Sequence, residues 1–124
     1  MKIYIGHSTS YNFKEELYQP IRASRLNSEH EIIFPHEIHE EAKVFPTKDI
    51  IKTCAVMIAE VSYPSTGLGI ELGYADCFSI PIICMYKKGT KISSSLSTVT
   101  SKFLEYSDDA EMIALLDNEL KNLI

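Results

Sequence analysis

No stretch of the 124-residue chain approaches the roughly 20 consecutive apolar residues that a membrane-spanning helix needs, so a membrane is not expected as a partner. Positive charge is scarce. Twelve lysines and arginines face 17 acids for a net charge of −5, and the only basic cluster is Lys87, Lys88 and Lys91. A long polyanion would be repelled, which sets a nucleic acid polymer aside, although local amides and hydroxyls could still hold one phosphate. Cysteine is also sparse: Cys54, Cys77 and Cys84 are odd in number, lie in apolar segments and form no C-x-x-C pair, which predicts reduced core residues. Met1 to Gly6 lacks the length and cleavage site of a secretory leader, so a cytoplasmic protein is expected. There is no internal repeat, low-complexity tract or linker, and the length suits a single domain over residues 1–124.

What is present alternates between two periodicities. Lys2 to Gly6 (KIYIG) reads as a buried strand ending in a turn, followed by Phe13, Leu17 and Ile21 at helical spacing, with Pro20 placed to kink or break that helix. His30 to Phe34 predicts a second strand, and the polar stretch Pro35 to Pro46 a surface flap. After a short helix over Thr47 to Thr53, the near-continuous apolar run Cys54 to Val61 predicts a strand covered on both faces. Gly67 to Phe78 has Leu68, Leu72 and Ala75 on one helical face; Ile80 to Tyr86 is another buried strand, and Phe103 to Tyr106 a short one. A closing helix is expected from about Asp109, with Asp108 and Glu111 at capping-box spacing and Ile113, Leu116, Leu120 and Leu123 as its buried stripe. Five strands alternating with helices imply an α/β fold with a mostly parallel sheet between helical layers. Ligands in such folds bind beyond the C-terminal strand ends, which singles out the loops Gly6 to Ser10, Ser62 to Gly69 and Lys87 to Ser95.

The most informative stretch is Ala59 to Ala75, AEVSYPSTGLGIELGYA. A buried strand runs into a small-residue turn, then a helix that opens with Gly67, Gly69 and Gly73. Glycines there weaken the helix but let another backbone or a ligand come close. Ser65 and Thr66 are N-cap candidates, and the free amides behind them suit an anion. Glu71 lies about one turn inside, where the helix dipole favours the ionised carboxylate that a nucleophile at a sugar carbon requires.

GLGIELGYA, preceded by AEVSYPS and followed by IPIICMY, resembles the nucleoside 2-deoxyribosyltransferase family, including its 2′-deoxynucleoside 5′-phosphate N-hydrolase branch; the opening IYIG is similar as well. The resemblance implies a flavodoxin/Rossmann-like three-layer sandwich, a homo-oligomer such as a dimer, no cofactor and no metal, and a small nucleoside or nucleotide as substrate. It implies that Glu71 attacks the anomeric carbon to form a glycosyl-enzyme ester, which water or a second base then resolves, the double displacement of retaining glycosidases. Tyr4 matches the tyrosine that holds the nucleophile. Asp49 matches the aspartate that contacts the sugar and assists at the base once a two-residue gap is allowed before Cys54; without the gap, Thr47 takes its place. Gly6, Gly67 and Gly69 are then expected to line the substrate site, and Ser8, Ser65 and Ser94 match the phosphate-binding serines, with Ser93 or Ser95 as alternatives to Ser94. The branch's arginine after the first strand is absent, leaving His7, Ser8, Thr9 or Ser10 to serve.

The expected activity is therefore N-glycosidic cleavage of a 2′-deoxynucleoside 5′-monophosphate or deoxynucleoside. A base-exchanging transferase, a non-catalytic nucleotide-binding module and a glycohydrolase of a ribonucleotide or NAD are the alternatives. The transferases extend their C-terminus into a neighbouring site; this chain ends in an amphipathic helix, which favours hydrolysis. His36 and His39 with Glu37, Glu40 and Glu41 lack the further ligands of a metal site and read as an acidic flap. Glu60 reads as strand-end structure or hydrogen bonding.

Overall fold

The computed structural model describes residues 1–38 and 46–123. Five strands, β1 (Lys2–His7), β2 (Glu31–Ile33), β3 (Val56–Glu60), β4 (Ile82–Lys87) and β5 (Phe103–Tyr106), form one sheet in the order β2-β1-β3-β4-β5. Every pairing is parallel, so the sheet is wholly rather than mostly parallel. The order is the flavodoxin-like one, with its switch point between β1 and β3. The expected flap around His39, Glu40 and Glu41 lies outside the described residues, but its start, Pro35–Ile38, is a short helix, α3.

Side chains alternate across the sheet and feed two cores. Ile3, Ile5, Ile58, Ile83 and Met85 meet a π-helical turn (Lys14–Tyr18) and the helices α1 (Gln19–Arg22), α2 (Arg25–Glu29) and α6 (Asp109–Asn122). On the opposite face Tyr4, Met57, Ala59 and Cys84 meet α4 (Thr47–Lys52) and α5 (Thr66–Cys77). Central β3 is buried along its whole length, as its unbroken apolar run requires. Pro20 does not end the helical stripe; it sits in the first turn of α1, where its missing N–H costs little, and Leu17 and Ile21 are buried on either side of the junction.

In α6 the Asp108 carboxylate accepts from the Glu111 N–H at 2.8 Å and Glu111 accepts in return from the Ser107 N–H at 2.6 Å, a capping box shifted by one residue at its second contact. Its buried stripe is Met112, Leu116 and Leu120. Ile113 is only partly buried and Leu123 is 39% exposed, because the helix turns the 112-116-120 edge toward the sheet. Cys54 and Cys84 are buried as expected, whereas Cys77 is exposed at the end of α5, on the side away from Leu72 and Ala75.

Candidate active site

Helix α5 starts at the turn after β3. Ser65 is its N-cap, accepting from the Leu68 N–H at 3.3 Å, and Leu68, Leu72 and Ala75 bury the face toward the sheet. Three glycines cost this helix up to about 1 kcal/mol each, while burying two leucines contributes roughly 2 kcal/mol each and the cap about 1 kcal/mol, so packing wins. The side chain next to that buried face is Glu71, and it points at β1. There Tyr4, wholly buried, donates its hydroxyl to Glu71 Oε2 at 2.5 Å. Gly6, two residues on, makes room: a Cβ at that position would lie 3.0 Å from Glu71 Oε1 and 2.9 Å from both Leu68 Cδ1 and Met57 Cε. Glycine here serves close approach, not an unusual backbone angle.

Burial pushes the Glu71 carboxyl up to about 7, and the Tyr4 hydrogen bond pulls partly against it. The helix N-terminus therefore does not by itself keep this group ionised, as the sequence suggests it would; desolvation is the larger effect. The Tyr4 hydroxyl is held well above its ordinary value by burial and by the Glu71 charge and hydrogen bond, so it stays a donor, and the Thr47 hydroxyl hydrogen-bonds it from α4. A protonation switch near neutrality on a positioned carboxylate is a common feature of sites that do acid-base or nucleophilic work.

Glu71 opens onto a hollow of about 370 Å³ between α4 and α5, lined also by Thr47, Asp49, Gly67, Ile70 and Tyr74. Asp49 and Thr47 thus share the site with Glu71, Asp49 exposed at the rim and Thr47 deeper, against Tyr4. Ser65 and Gly69 line a second, more apolar hollow of about 380 Å³ on the opposite flank of α5, together with Leu68, Leu72, Ser93 and Ser95. Of the serine run, Ser94 is exposed and does not line it. Ser8 is buried at the end of β1, its hydroxyl hydrogen-bonded to that of Ser10 at 2.8 Å. His7 turns inward: its Nδ1 donates to the Ser8 carbonyl and its Nε2 lies 2.6 Å from the Tyr18 hydroxyl. Burial lowers its pKa to about 4, so His7 is neutral at physiological pH and does not replace the missing arginine as a cation.

Other groups at the strand ends carry little sequence signal. Tyr11, from the loop after β1, stacks on Tyr63, from the turn after β3, with ring centroids 4.5 Å apart. The Lys87 ammonium sits 5.1 Å from both rings, donates to the Tyr63 hydroxyl at 2.9 Å and pairs with Glu16. Glu60 is fully buried and accepts from Ser62 and Tyr106. Aromatic and hydroxyl side chains in two loops could be noted in the sequence, but their pairing is a product of the sheet order.

This architecture defines a flavodoxin-like α/β protein whose crevice at the switch point holds a half-buried glutamate hydrogen-bonded to a buried tyrosine. Comparison with known proteins narrows the class to particular relatives. No protein-family profile matches the chain. A protein of Syntrophotalea carbinolica named as a 2′-deoxynucleoside 5′-phosphate N-hydrolase is 42% identical over 41 residues, 33% of this chain and 29% of that relative. A CMP N-glycosidase of Clostridium botulinum has the same fold, with a TM-score of 0.67 and 21% identity over 94% of this chain and 99% of its own. A 2-deoxyribosyltransferase of Bacillus psychrosaccharolyticus follows at a TM-score of 0.64 and 19% identity, covering 90% of each chain. The relatives' names agree with the family resemblance of the GLGIELGYA segment, and the structural matches bear out the fold it implies. The curated match spans less than a third of that relative's length.

Proposed function

We propose that the protein cleaves the N-glycosidic bond of a 2′-deoxynucleoside 5′-monophosphate or deoxynucleoside, with Glu71 as nucleophile. The observation that carries this reading is the Glu71 carboxylate, held by Tyr4 at 2.5 Å and facing a hollow of about 370 Å³ at the C-terminal edge of the sheet. The ionised oxygen attacks the anomeric carbon and the bond to the base breaks. The base leaves with the bonding electron pair and takes up a proton from solvent at the open rim, where Asp49 is placed to orient the water and the base. Water then attacks the glycosyl ester, releasing the sugar and regenerating the carboxylate. Tyr4 orients the carboxylate and offsets part of the cost of its charge. Absence of a 2′-hydroxyl eases the oxocarbenium-like transition state, because no electron-withdrawing oxygen sits beside the developing cation.

Ser8, Ser65 and a serine of the 93–95 run remain the candidates for a 5′-phosphate, with the start of α5 as the amide source. Water as the acceptor at the glycosyl ester gives hydrolysis, and an acceptor base in the same position would make the reaction an exchange.

The test is incubation with deoxynucleosides, their monophosphates and ribonucleotides such as CMP, with and without a second base, followed by chromatography. Free base and sugar are expected from a deoxynucleotide, and Glu71→Ala should lower the rate by at least about a thousandfold. A Glu71→Ala protein as fast as the wild type would remove the nucleophile assignment, and tight binding without any product would leave a binding module.

A further inference from the structure

Glu60 ends the central strand, and its carboxylate is 1% exposed. Its hydrogen bonds come from neutral donors. The Ser62 N–H donates to Oε1 at 2.6 Å, the Ser62 hydroxyl to Oε2 at 3.1 Å, and the Tyr106 hydroxyl, on β5, also to Oε2. Ser62 Oγ in turn accepts from the Lys87 N–H at 2.8 Å, and the Val61 N–H donates to the Met85 carbonyl at 2.9 Å. One buried acid thereby ties the turn after β3 to the ends of β4 and β5. Taking a carboxylate out of water is among the costliest burials a fold can make, and an apolar side chain would complete this part of the core without that cost. What an apolar side chain could not do is bind two groups of the turn that leads to the Ser65 cap three residues later and then on to Gly67 and Glu71.

We propose that Glu60 is the positioning residue of this turn: without touching substrate, it holds Ser62 to Ser65 in the one arrangement that meets the polar end of the substrate at the start of α5. The nucleophile itself does not depend on it. Glu71 is held from β1 by Tyr4, and α5 is held by Leu68, Leu72 and Ala75. Loss of Glu60 should therefore weaken binding and leave the chemical step nearly intact.

This inference rests on the N-glycosidase reading, and the experiment separates the two. Glu60→Gln keeps an acceptor for the Ser62 N–H but turns its other end into a donor, and is expected to raise KM about tenfold with kcat changed by no more than about twofold. Tyr106→Phe, behind Glu60 and remote from substrate, should move KM in the same direction, and the double variant should fall short of the product of the two effects. Amide hydrogen exchange supplies a readout independent of turnover: residues 61–69 should exchange faster in both variants while α6 is unchanged. Unaltered KM and unaltered exchange in the turn would overturn the proposal, as would a lower melting temperature with KM and exchange in the turn unmoved. If the wild type releases no base from any substrate, the catalytic reading fails, and exchange across 61–69 still decides for or against Glu60.

Discussion

At the residue scale, burial and a hydrogen bond act on the Glu71 carboxyl in opposite directions. Burial raises Glu71 to about 7, and the Tyr4 hydroxyl draws it back toward the ionised form that the proposed attack requires. Activity limited by this group should rise with pH through about 7. Removing the donor in Tyr4→Phe leaves burial uncompensated, so the acid limb of kcat/KM should move to higher pH, with a larger loss at pH 6 than at pH 8.5. A Tyr4→Phe profile parallel to that of the wild type would assign the limb to another group. Both residues were legible in the sequence, Tyr4 from the opening strand and Glu71 from the glycine-framed helix. Their contact joins positions 67 residues apart and needed the β1-β3-α5 packing to show it. In the sequence, a two-residue gap before Cys54 decides between Asp49 and Thr47. In the fold both line the Glu71 hollow, one at the rim and one against Tyr4, because both stand in the first turn of a six-residue helix and point in different directions from it.

At the scale of elements, α5 is unusual for its glycines. A Cβ at Gly69 or Gly73 would meet nothing within 4 Å, and neither residue has the positive φ that favours glycine, so this chain's own packing does not require them. Gly69→Ala and Gly73→Ala should each raise stability by about 0.5 to 1 kcal/mol, seen as a higher melting temperature or denaturation midpoint. Destabilisation by either substitution would show that the helix is approached by something outside the described residues. Gly6 is the contrary case, since its missing side chain is what lets Glu71 reach the sheet. The helix, its cap and its buried face followed from periodicity and from Ser65. Which flank of α5 each glycine faces did not: Gly67 lies on the Glu71 side and Gly69 on the opposite side, a division that only the neighbours of the helix create.

For the whole molecule, two titratable groups shifted by desolvation tilt stability in opposite directions. His7 has a folded pKa of about 4 against an ordinary 6.5, so the unfolded chain binds the extra proton and stability is lost as pH falls from about 6.5 toward 4. His30 and His36 are lowered too and add to that slope. Glu71 is raised from 4.5 to about 7, so here the folded state holds the proton, and stability is lost as pH rises from about 4.5 through 7. Each of the His7 and Glu71 shifts corresponds to roughly 3 kcal/mol, and they nearly cancel between these limits. Glu71→Gln removes one side of the balance: its melting temperature should exceed that of the wild type more at pH 8 than at pH 5. A difference that stayed constant across that range would refute the linkage. Alone, the sequence determined the number of the strands and their order along the chain, the two-faced burial of β3 and the glycine-opened helix with its Ser65 cap, because hydrophobic period and capping act over a few neighbouring residues. The tertiary structure decided that His7 faces inward, that Glu60 anchors a turn through Tyr106 and that Tyr11 meets Tyr63. Those contacts depend on which strand ends the sheet order brings together, and no local pattern carries that information.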